Sequence, residues 1–73
     1  MRPIDVKLAM RNGTIRALYK EEVIRLIRQK YDINDETDIL FDSDQAKIKE
    51  HNEYVLSCKE AVKDKIREYG GEV

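Results

Sequence analysis

At 73 residues, with 41% apolar and 40% charged side chains, the chain has room for one domain, residues 1–73, and a thin core. Domains below about 80 residues seldom gain more than ~3–5 kcal/mol net from a single apolar core, and the lone cysteine, Cys58, excludes an internal disulfide. No apolar run is long enough for a signal peptide or a membrane span, so the expectation is a cytoplasmic protein without a membrane partner.

The formal net charge of −1 hides a division. Residues 1–30 carry eight bases and three acids, whereas residues 31–73 carry six bases and twelve acids. Such halves can neutralise each other within one fold, or head to tail between copies, and either surface suits an oppositely charged partner.

Residues 2–13, RPIDVKLAMRNG, read as a short helix with Pro3 in its first turn, Asp5 complementing its dipole and Gly13 as a left-handed stop. A β-hairpin turning on Asn12-Gly13 is the alternative, with Val6, Leu8, Met10, Ile15, Ala17 and Tyr19 on one face. The next segment favours the helix. From a cap at Thr14, Ile15, Leu18, Tyr19, Val23, Leu26, Ile27 and Tyr31 fall on one helical stripe. Glu21 and Arg25 stand at the spacing of a helical ion pair, worth only ~0.2–0.5 kcal/mol.

Residues 32–44, DINDETDILFDSD, hold six acids and no base. Asn34 or Asp35 is expected to cap a short helix over 35–41 whose Ile39, Leu40 and Phe41 tuck under longer neighbours, and Ser43 or Asp44 to cap the last helix. That last helix spans 44–69 and ends at Gly70-Gly71. Ile48, Val55, Val62 and Tyr69 recur every seven residues, widened by Tyr54, Cys58, Ala61 and Ile66 into an apolar stripe. Glu50, Glu53, Ser57, Glu60, Asp64 and Arg67 form a polar ridge opposite. At ~1.5 Å per residue this helix is roughly 39 Å long, more than so small a core requires, so part of it is free to meet a partner.

Candidate chemistry is sparse. Asp32, Asn34, Glu36 and Asp38 alternate as in a calcium loop, but Thr37 and Ser43 stand where an EF-hand needs glycine and glutamate. His51 and Cys58 are two turns and roughly 10 Å apart, too far to share zinc or act as a nucleophile and base. Gly70-Gly71 follows a helix instead of opening one, so no phosphate loop is present. No catalytic, metal or cofactor-binding residue and no small-molecule substrate is expected. Nucleic-acid binding through Arg2, Lys7, Arg11, Arg16, Lys20, Arg25 and Arg28 on a helix-turn-helix-like first half is an alternative, set against an acidic second half and a pI near 5.8.

The blocks IRQKYDINDETDIL and HNEYVLSCKEAVKDKI, with Tyr31, Asp35-Glu36, Ile39-Leu40, Tyr54 and Cys58-Lys59 in that order, resemble small uncharacterised proteins encoded by phages and prophages, often near tail genes. The resemblance spans about residues 24–66 and is interrupted at FDSDQAKIKE. It implies a virion or tail-assembly component in the host cytoplasm or the virion, and brings no active site.

The combined expectation is a mainly α domain of three to four helices with a long C-terminal helix. It is read as a non-catalytic module that self-associates or docks on a larger protein, using Arg11, Arg16 and Arg25 on the basic half and Glu50, Glu53, Glu60 and Asp64 on the acidic ridge. A phage inhibitor of a host defence protein fits the same build.

Overall fold

The computed structural model describes residues 1–41 and 44–73, so the expected cap at Ser43 lies outside the described residues. Four helices follow one another: α1 (Pro3–Asn12), α2 (Ile15–Lys30), α3 (Ile33–Phe41) and α4 (Gln45–Glu68). No strand occurs among the described residues, which disposes of the hairpin. Asn12 instead ends α1, and Gly13 adopts φ 71° so that its N–H reaches the Met10 carbonyl while that of Thr14 reaches the Ala9 carbonyl at 2.8 Å. This paired closure is a Schellman motif, which needs a left-handed residue that glycine supplies without strain. Thr14 therefore closes α1 with its backbone, and its side chain makes no capping bond to α2.

The same closure ends α4. Gly70, at φ 86°, donates to the Arg67 carbonyl at 3.0 Å, and Gly71 donates to the Ile66 carbonyl at 2.8 Å. At the other end the Asp44 carboxylate accepts from the Ala46 N–H at 3.0 Å, the expected N-cap.

α2 and α4 run antiparallel: the Tyr54 hydroxyl donates to the Leu26 carbonyl, and further along Lys63 lies over the Tyr19 ring. Between them sits the core of Val6, Val23, Ile27, Cys58, Val62 and Ile66, with Val6 and Ile66 fully buried. All seven expected α2 positions either belong to this cluster or pack against it. On α4 the buried row is Cys58, Val62 and Ile66, at intervals of four, while Val55 and Tyr69 are half-buried and Ala61 is exposed. Lengths explain the shift. Sixteen residues of α2 can shadow ~24 Å of the ~36 Å occupied by α4, so full burial is confined to the stretch that α2 and α1 cover together. α1 packs on α2 with Val6 pointing to Ile66, and α3 packs on the first turns of α4.

The result is a rod. Its principal extents are 44 × 18 × 17 Å and its radius of gyration is 14.3 Å, against about 11 Å for a compact chain of this length. The accessible surface is 5481 Å², about 800 Å² more than a compact protein of this mass exposes.

Candidate functional site

The structure differs most from the sequence-based expectation at α3. This helix begins at Ile33, two residues earlier than expected, because Asp32 and not Asn34 or Asp35 provides the cap. The Asp32 carboxylate accepts from the Asp35 N–H at 2.7 Å, and the Asp35 carboxylate accepts from the Asp32 N–H at 3.2 Å, a reciprocal capping box.

Starting there sets the rotation of the helix. Glu36 faces the body of the protein, where it accepts hydrogen bonds from the Arg28 guanidinium of α2 and, at 2.8 Å, from Nε2 of His51 on α4. His51 is further held edge-on against Tyr31, with ring centroids 5.0 Å apart, and Tyr31 meets Tyr54 in the same manner at 5.5 Å. The Lys30 ammonium lies 4.8 Å from the Tyr54 ring centroid and 3.8 Å from Glu50. Desolvation raises the Tyr54 phenol above its ordinary value, and the hydroxyl keeps its partner at the Leu26 carbonyl.

α3 is thus clasped through a carboxylate, and its apolar side is turned outward. Ile33, Leu40 and Phe41, expected beneath the longer helices in the case of the last two, are 67, 75 and 88% exposed, and only Ile39 is half-buried. With Thr37 they occupy positions i, i+4, i+7 and i+8, the stripe by which an amphipathic helix normally faces a core. None of the side chains of α3 is fully buried.

The clasp carries a pH dependence of definite sign. The hydrogen bond from Arg28, followed by that from His51, holds the Glu36 carboxyl below the ordinary glutamate value of 4.5. Its contribution is therefore present above that value and is lost as pH falls through the lower folded one. Between about pH 5 and pH 3 the melting temperature of the wild type should fall more steeply than that of Glu36→Gln. Asp5, held down by the Arg2 backbone N–H, contributes in the same direction but equally in both proteins, so the difference isolates the clasp. Parallel curves would show that Glu36 carries no such role.

The sequence-derived interaction residues are dispersed along the rod. Arg11 and Arg16 are exposed near the α1–α2 corner, with Arg16 beside Tyr19, Lys20 and Lys63 around a shallow groove. Arg25 pairs with Glu22 at 3.4 Å instead of the expected Glu21, and Glu22 is also approached by the N-terminal ammonium at 3.8 Å. On the acidic ridge, Glu50 faces Lys30, Asp64 pairs with Arg67 at 3.2 Å, and Glu53 and Glu60 are exposed.

Two grooves add shape. One of about 330 Å³ runs between α1 and α2, walled by Leu8, Ala9, Ala17 and Leu18 together with the carboxylates of Asp5 and Glu21. The other, about 260 Å³, lies between α2 and α4 beside Leu26, Ala61 and Val62. Among the described residues no three His, Cys, Asp or Glu side chains converge as a metal ion would require, and no helix is long and apolar enough to cross a membrane.

No family model, curated protein or solved structure matches the chain. The functional reading therefore stands on its surface. Sequence reasoning passed over the outward stripe of α3 because it took Leu40 and Phe41 as core from their hydrophobicity alone. Ile33, Thr37, Leu40 and Phe41 share one helical face, but Glu36, three residues after Ile33 and four before Leu40, borders it, so spacing alone does not say which side turns inward.

Proposed function

We propose that this chain is a non-catalytic protein-interaction or assembly module of phage or prophage origin, which self-associates or docks on a larger protein through the outward face of α3. The observation that carries the reading is the apolar stripe Ile33, Leu40 and Phe41 standing in solvent on a helix clasped by its polar side. A monomer gains nothing from exposing three large apolar side chains on one face, whereas such a patch rimmed by acids is the usual form of a docking surface. The phage origin rests on the resemblance carried by residues 24–66.

The experiment is light scattering across a concentration range, together with co-purification of the wild type and Phe41→Asp from infected cells. Self-association, or a partner retained by the wild type and lost by Phe41→Asp, is the expected result. A monomer at every concentration, with no partner whose retention depends on Phe41, would remove the reading.

A further inference from the structure

The two ends of the rod are complementary. At one end α3 carries Asp35, Glu36 and Asp38 and no base, and presents Ile33, Leu40 and Phe41 outward. At the other, α1 exposes Ile4, Lys7, Leu8 and Arg11, which at spacings of three, four and seven share one helical face. Beside that face runs the α1–α2 groove, whose walls carry Asp5 and Glu21 as well as Leu8, Ala9, Ala17 and Leu18, so the cationic surface is the α1 face itself.

The helix termini point the same way. α1, α2 and α4 each have basic residues in the last turn, which complement the negative end of the helix dipole, but α3 has none. Leu40 and Phe41 stand in the last turn of α3. A partner that covers this face should therefore bring aliphatic side chains together with cations, and α1 offers both in Leu8 and Arg11.

From this complementarity, and resting on the reading above that α3 is a docking face, we infer that the occupant of α3 is a second copy of this chain. Its α1 face receives the α3 stripe, so that copies join head to tail. A symmetric contact of α3 with α3 would instead set two base-free acidic helices against each other, where like charges repel. A head-to-tail contact uses different surfaces on the two copies and repeats, giving a ring if the rotation closes and a filament if it does not. Because each contact covers the face of a nine-residue helix, assembly should be concentration-dependent and weakened by salt.

The test uses two variants with substitutions at exposed positions, Phe41→Asp on α3 and Leu8→Asp on α1, each checked for unchanged helical circular dichroism, with Leu40→Glu and Ile4→Glu in reserve should either misfold. In sedimentation velocity the wild type should grow in mass with concentration, and each variant alone should stay near the 8.6 kDa of one chain. An equimolar mixture should form a species of twice that mass and no larger, because Phe41→Asp keeps a sound α1 face and Leu8→Asp keeps a sound stripe. If Leu8→Asp assembles like the wild type while Phe41→Asp does not, the contact is between α3 faces and the head-to-tail arrangement is overturned. A wild type that stays monomeric also overturns it. The wider reading of α3 as a docking face would then stand or fall on whether a partner protein is lost with Phe41→Asp.

Discussion

Val62→Asp should leave no cooperatively folded protein at physiological temperature. Val62 is 4% exposed and lies on α4 between Cys58 and Ile66, within the cluster that holds Val6, Val23 and Ile27. No buried polar side chain occurs in this core to receive a carboxylate. Burying an unpaired charge costs roughly 3–5 kcal/mol, which equals the entire net stability that a core of this size supplies. Far-ultraviolet circular dichroism should show loss of helix and of a thermal transition. Val55→Asp should do less, since Val55 is half-buried and its carboxylate can reach water. Glu53→Gln, on the exposed ridge, should stay within ~0.5 kcal/mol of the wild type. A cooperative melt for Val62→Asp at the wild-type temperature would show that α2 and α4 do not meet as described.

Gly71→Val should be the most damaging change outside the apolar positions. A Cβ at Gly71 would stand 2.5 Å from Cγ1 of Val6 and 2.7 Å from Cγ2 of Ile66, both fully buried side chains. Both are β-branched and have little rotamer freedom with which to yield. Gly71 must in addition stay close enough to donate to the Ile66 carbonyl and close α4. Overpacking of this kind costs about 1–3 kcal/mol, a fall in melting temperature on the order of 10 °C for a domain of this size. Gly71→Ala should lose less. Gly70→Ala, where no atom lies within 4 Å of the added methyl, should lose only the strain of its left-handed φ, about 1 kcal/mol. Equal melting temperatures for Gly71→Val and the wild type would mean that the chain after α4 does not seat against α1.

The long-period features of this fold were legible because a helical period and a fitting terminal residue reinforce each other. The α2 stripe from Ile15 to Tyr31, the Asp44 cap and the glycine stops at Gly13 and Gly70 each combine a helical period with a residue whose backbone or side chain suits that position. Two features depended on tertiary context. The seven-residue repeat in α4 suggested uniform burial from Ile48 to Tyr69, but burial follows the length of α2 and the position of α1, which no local pattern records. The orientation of α3 hinged on whether Asp32 or Asn34 opens it, a choice among several adequate caps that moves its start by two residues. The grip on Glu36 by Arg28 and His51 joins residues eight and fifteen positions away, and no sequence spacing predicts such a meeting. The role of Gly71 was hidden for the same reason, since its neighbour Val6 lies at the other end of the chain.

Seen as a whole, the molecule spends its polar residues on fixing α3 and leaves the apolar stripe of that helix unmet. Amide NMR spectra of the wild type recorded from dilute to concentrated solution test this most directly. Concentration-dependent shifts should gather on Ile33–Phe41 and on the α1 face around Ile4, Leu8 and Arg11, with the α4 ridge at Glu53 and Glu60 unchanged. Shifts confined to that ridge, or spectra identical at every concentration, would contradict the head-to-tail use of α3.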